Sequence, residues 1–171
     1  MRKSIIALMT VAFGMTATTV SAAETTVIFE QPDEYQDIEA VNSKQDEFEQ
    51  MIMEGLRKHI VKLGEELPEG YNLEFVVTDL DLAGRVEPTF GATTSSYMRV
   101  LDRIDYPMIE FRYKLTDAQG ENIKSGDERL RDMGITSTMR AAKESGRDVL
   151  YYEKEMLSQW FDRHLKPAAK E

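Results

Sequence analysis

The chain has 171 residues, with 21 Lys and Arg against 31 Asp and Glu, no Cys and 42% apolar residues, which describes one domain with enough material for its own core. Without a thiol there is no cysteine nucleophile, thiolate metal site, iron–sulfur cluster, disulfide or lipid-anchored amino terminus. The acidic balance also excludes nucleic acid as a partner, because proteins that bind phosphate backbones neutralise them with clustered Lys and Arg.

Residues 1–22 read as a cleavable secretory signal peptide. Arg2 and Lys3 form a short basic start, Ile5 to Ala17 is largely apolar, and Val20-Ser21-Ala22 places small residues at the cleavage positions. A transmembrane anchor is the alternative, but a span needs about 20 apolar residues, and this run is shorter and broken by Thr10, Thr16, Thr18 and Thr19. Cleavage after Ala22 or Ala23 leaves residues 23–171 as a single domain with a formal charge of 19 − 31 = −12 and no later segment able to span a bilayer. The expected location is the periplasm. The charge is uneven: Glu24 to Glu54 carries ten acids against Lys44 alone, a net −9, whose default roles are solubility and, at Asp46 and Glu47, support of a helix amino terminus.

Thr26 to Phe29 is a β-branched run closed by Gln31-Pro32-Asp33, the pattern of an opening strand. An acidic connection leads to about Asn42, and Ser43 with Asp46 forms an approximate capping box for a helix whose stripe is Phe48, Met51, Ile52, Leu56, Ile60 and Leu63, with Gly64 as its stop. Leu67-Pro68-Glu69-Gly70 is a turn. Residues 72–79 form a second strand, and Leu80 and Leu82 on the opposite parity predict a bulge or strand end near Thr78-Asp79.

Residues 83–95 show no period and are expected to be a long loop, and Tyr97 to Leu101 is a further candidate strand. Ile109, Phe111, Tyr113 and Leu115 alternate strictly with Glu110, Arg112, Lys114 and Thr116, the signature of a sheet covered on one face only. Thr116 to Gly120 supplies a hairpin loop returning through a strand from Asn122 to about Leu130. A short helix is expected near Ser137 to Glu144. Asp148 is placed to cap a last helix carrying Val149, Leu150, Met156, Leu157, Trp160, Phe161 and Leu165 until Pro167. The predicted order is β-α-β-β-β-β-α: an α+β fold with a largely antiparallel sheet of four to five strands and two main helices on one face.

The run Val77-Thr78-Asp79-Leu80-Asp81-Leu82-Ala83-Gly84-Arg85, with Glu87-Pro88 after it, resembles the central signature of a bacterial exported family known as domain of unknown function 3016. Tyr113-Lys114-Leu115-Thr116-Asp117 with Gly120, Leu130-Arg131-Asp132-Met133, and Tyr152-Glu153-Lys154 with Leu157 and Trp160-Phe161 follow in that family's order. The resemblance covers essentially residues 23–171. It implies an exported single domain of Gram-negative bacteria and lends no activity, ligand or catalytic residue.

Candidate sites are few. Asp79, Asp81 and Gly84 resemble half of a calcium loop, but Ala83 stands where a third oxygen ligand is needed and Phe90 where a distal Glu is needed. The bland reading has Asp79 and Asp81 accepting loop backbone hydrogen bonds and Arg85 paired with a carboxylate. The same acids with Glu87 offer the carboxylates of an envelope hydrolase, since positions i and i+2 of an extended segment share a face. His59 falls on the apolar face of the first helix, where a hydrogen-bonded core histidine is the ordinary case, and His164 suits a helix carboxyl terminus. No HExxH, G-x-S-x-G, phosphate-loop or dinucleotide pattern is present, so no cofactor or metal is expected. Tyr151 and Tyr152 offer an interaction surface, and the Thr93 to Ser96 and Gly134 to Thr138 loops offer others. The leading expectation is a non-enzymatic binding or accessory module of the cell envelope, acting on a protein partner or small ligand, with the hydrolase and a calcium-stabilised module as alternatives.

Overall fold

The computed structural model describes residues 22–92, 95–101, 105–131 and 147–169. In chain order these form β1 (Glu24–Phe29), a 3-10 turn (Pro32–Glu34), α1 (Gln45–Gly64), β2 (Asn72–Asp81), β3 (Arg85–Pro88), β4 (Tyr97–Val100), β5 (Met108–Thr116), β6 (Asn122–Arg131) and α2 (Tyr151–Ala168). The main sheet has the order β1-β2-β5-β6, and β3 and β4 make a separate two-stranded sheet. β1 runs parallel to β2 because α1 carries the chain back across the sheet, and the other neighbours are antiparallel. Among the described residues, no helix is long and apolar enough to cross a membrane.

Strand alternation sends Val27, Leu73, Phe75, Val77, Ile109, Phe111, Tyr113 and Leu115 into one core. Ile52, Leu56, Ile60 and Leu63 of α1 and Leu157, Trp160, Phe161 and Leu165 of α2 meet them there. Its centre is aromatic: Phe75 stacks on Phe111 at 4.3 Å, and Trp160 meets Phe111 and Tyr113 edge-on at 4.8 and 4.9 Å. On the opposite face Glu110 pairs with Arg129 and Arg112 with Glu30, so that side of the sheet is charged.

The α+β class and the placement of both helices agree with the sequence pattern, but the described residues form six strands, four in the main sheet and two in a separate one, rather than a single sheet of four to five. Residues 83–95 are not one loop, because Arg85–Pro88 pairs with Tyr97–Val100. That short strand carries charges at alternate positions and ends on Pro88, features of an isolated edge pair with no apolar face to betray it. The helix expected at 137–144 lies outside the described residues.

Both helix starts also differ from expectation. α1 begins at Gln45 behind Lys44, with no side-chain cap. The Gln45 side chain instead reaches back to the connection, accepting from the Ala40 N–H at 2.9 Å and donating to the Ile38 carbonyl, so the Ser43–Asp46 box does not form. α2 begins after Leu150. Asp148 accepts from the Leu150 N–H and from the Lys154 ammonium at 3.0 and 2.7 Å, two residues ahead of the cap position. Pro167 lies inside the last turn and the helix runs one residue beyond it, since proline's fixed φ fits a helix and costs a single hydrogen bond there.

Gly64 is the last residue of α1 rather than a residue beyond it, and its role is close packing. A Cβ there would lie 1.8 Å from Thr25 Oγ1 and 2.9 Å from Thr25 Cβ on β1. Gly64→Ala is therefore expected to cost about 2–3 kcal/mol through overpacking, outweighing alanine's better helix propensity. Adding Thr25→Ala should recover only part of that loss in urea unfolding, because the Cβ clash remains.

Candidate functional site

The residues singled out in the sequence gather where β2 gives way to the β3–β4 hairpin. The register of β2 against β5 slips between Val77 and Asp79, which makes Thr78 the extra residue of a bulge. This resets the parity, so Leu80 and Leu82 are buried with Leu73, Phe75 and Val77. Asp79 and Asp81 consequently stand on the other side of the strand from the core.

Each acid has a structural partner or neighbour. Asp79 accepts from the backbone N–H groups of Gln36 and Leu80 at 3.2 and 2.8 Å. Asp37 forms a one-residue parallel bridge to Asp81, its carbonyl accepting from the Leu82 N–H at 3.2 Å. Burial first, and then the charges of Asp37 and Asp79, hold the Asp81 carboxyl above the usual aspartate range, against the pull of Arg131 and Arg99. Arg85 donates to Glu87 at 2.6 Å and to Asp105. Asp79 and Asp81 thus lie in a strand, with arginines among them, and no calcium-type loop is formed. Among the described residues, no group of three or more His, Asp or Glu is disposed to hold a metal ion.

Asp81→Asn separates the structural account from the hydrolytic one. The raised folded-state value means that Asp81 contributes its stability in the protonated form and loses it as pH rises through that value. The Asn variant should match wild type below the ordinary Asp range, about pH 4, and unfold at higher urea above it.

Two residues missed in the sequence organise this corner. Arg99 of β4, whose side chain is only 12% exposed, donates to Asp37 at 2.9 and 3.4 Å, to the Gly84 carbonyl at 2.9 Å and to the Glu39 carbonyl at 3.0 Å. Glu153 of α2 is fully buried and accepts from the Ala83 N–H at 2.8 Å through Oε1, while Oε2 has no hydrogen-bond partner. Burial pushes its carboxyl up to about 7. The Ala83-Gly84 connection is thus held by Glu153 through an N–H and by Arg99 through a carbonyl. Gly84 has a φ of +80°, and a Cβ there would meet the Val100 carbonyl at 2.4 Å, so only glycine passes this point. The signal for Glu153 was present in the helical period, since position 153 continues the 156–157–160 stripe. Nothing in the order of residues places Arg99 beside Asp37.

The aromatic pair expected at the surface is not displayed there. Tyr152 is 2% exposed and packs against Ala83, and Tyr151 is partly buried with its ring 5.4 Å from that of Tyr152. The helical phase that buries Glu153 and Met156 also turns Tyr152 inward. His59 Nε2 lies 2.9 Å from both the Lys154 carbonyl and Ser158 Oγ, and burial lowers its pKa. It bridges the two helices. His164 stacks against Trp160 at 6.1 Å.

Most of the large apolar side chains exposed among the described residues are instead on or next to the hairpin. Of the seven large apolar side chains exposed among the described residues, Phe90, Tyr97, Met98 and Leu101 belong to the hairpin or the residue after it. Residues 88–98 contain no charged side chain, the longest such run after residue 23.

A model of the family described as protein of unknown function (DUF3016) matches residues 23–163. No curated protein matches the chain. Among solved structures, protein XCC0632 from Xanthomonas campestris, assigned to family-model DUF330, is 12% identical over 87% of this chain and 85% of that one, with a TM-score of 0.27.

Proposed function

From the premise that this chain belongs to the family of proteins of unknown function DUF3016, we propose that it is an exported, periplasmic module that works in the cell envelope by binding rather than by catalysis. The observation that carries the reading is the hairpin: a two-stranded pair, free of charged residues from 88 to 98, that concentrates exposed apolar side chains in a chain that is 30% charged. Two of the three carboxylates offered for hydrolysis are committed elsewhere. Asp79 is spent on backbone N–H groups and Glu87 on Arg85. Export is supported by the basic start, apolar run and small residues of positions 1–22.

Two measurements test the reading. Intact mass of protein from the periplasmic fraction should show a chain beginning at Ala23 or Glu24, and an uncut chain in the cytoplasm would overturn the export step. Chemical cross-linking at native expression level in the intact envelope, followed by purification under denaturing conditions, should return one dominant protein across replicates. Recovery of abundant periplasmic bystanders alone would count against an accessory role.

A further inference from the structure

The tip of the β3–β4 hairpin is built around a residue that does nothing for the fold. Phe90 is 93% exposed and has a φ of +50°, a left-handed conformation that is an outlier for a bulky side chain. Gly91 follows at +84°, and the Ala92 N–H closes onto the Thr89 carbonyl at 2.9 Å, the pattern of a type I′ turn. The first central position of such a turn ordinarily takes Asn, Asp or Gly. Phe90 therefore carries backbone strain and makes almost no contact in return, a conflict of the kind that marks functional positions.

The strain is held in place from below. Thr89 is buried, its N–H donates to the Ser96 carbonyl at 3.0 Å, and its hydroxyl donates to the Ser95 carbonyl. At the base, Arg99 and Glu153 fix the hairpin to the domain. An aromatic side chain on a braced turn, flanked by uncharged residues 88–98, enters a partner without desolvating a charge and with little further ordering.

We infer that Phe90 is the anchor by which this protein docks into an uncharged apolar pocket, rimmed by Lys and Arg, on another protein of the envelope. The inference rests on the binding reading above and names the partner's chemistry. The basic rim follows from charge complementarity, since residues 23–171 carry 19 − 31 = −12 and long-range attraction to a cationic surface brings the neutral tip into contact. The same charge disfavours an anionic lipid surface as the occupant.

The test places a benzophenone amino acid at position 90 of the full chain in living cells, with position 51 as a second exposed site on α1, followed by rebinding of the purified partner. The expected result is a light-dependent protein adduct from position 90 and not from 51. Phe90→Gly should then bind that partner at least tenfold more weakly, Phe90→Leu should fall between, and affinity should drop several-fold when salt is raised from 50 to 300 mM. Phe90→Gly should also be no less stable than wild type, because glycine relieves the left-handed strain. A protein adduct from 51 but not 90, equal binding by Phe90→Gly, adducts to lipid or to a second copy, or salt-independent affinity would each overturn the inference while leaving a binding module standing. No adduct from either position would overturn the inference, and together with bystanders alone in the whole-chain cross-linking it would overturn the binding reading too.

Discussion

Glu153→Gln is expected to make the protein more stable at pH 8 by about 2–3 kcal/mol, and to change it little at pH 4.5. The sign follows from the environment. Burial, with one backbone donor on Oε1 and none on Oε2, raises the folded-state carboxyl from its ordinary 4.5 to about 7. A group raised in this way contributes stability below its unfolded value and loses it as pH climbs through the folded one. The slope should be about 1.4 kcal/mol per pH unit between pH 4.5 and 7, on the order of 3 kcal/mol in all, and flat above.

Glutamine mimics the protonated acid. It keeps an oxygen for the Ala83 N–H and cannot ionise, so urea unfolding of the variant should lack this component of the pH slope. At pH 8 the gain should appear as a rise in Tm of roughly 6–12 °C. Glu153→Ala should behave differently, losing about 1–3 kcal/mol at pH 5, where the Ala83 N–H is left unpaired and its acceptor was already neutral. Parallel pH profiles for wild type and Glu153→Gln would refute the assignment of Glu153 as a buried neutral acid.

The same residue shows where the sequence was readable. The alternation of Ile109 to Leu115 fixed one sheet face as apolar and one as charged, and the parity change at Leu80 announced the bulge observed between Val77 and Asp79. Such features are local, because a period of two or 3.6 is written along one segment. The β3–β4 pairing escaped notice because four-residue strands with Arg85 and Glu87 at alternate positions bury no face and leave no period. Ser43 and Asp148 have the chemistry of caps, yet the tertiary tie from Gln45 to Ile38 and the pairing of Asp148 with Lys154 set other starts. The corner itself is long-range: Asp37, Ala83, Arg99 and Glu153 come together only once the sheet and α2 are in place. Phe90 was not singled out: it shares the uncharged run 88–98 with Tyr97, and neither its exposure nor its left-handed backbone is written in a local period.

Arg99→Met is the substitution expected to cost most, about 3 kcal/mol, because it leaves the half-buried Asp37 carboxylate without its fork and withdraws the donor from two carbonyls at once. Arg99→Lys should recover only part of this, since an ammonium supplies the charge but cannot span Asp37, Gly84 and Glu39 together. Asp37→Asn combined with Arg99→Met should be less destabilising than the sum of the two changes by about 1–2 kcal/mol, the mark of a shared contact. A second consequence links this residue to Glu153. Arg99 pulls the Glu153 carboxyl downward and, after Arg131, that of Asp81, so without it each should hold its proton to higher pH. The pH at which wild-type stability levels off should therefore move upward in Arg99→Met, and when Glu153→Gln is added only the part carried by Asp81 should remain. A stability loss with no displacement of the pH profile would show that Arg99 braces the hairpin without contributing to the field at Glu153.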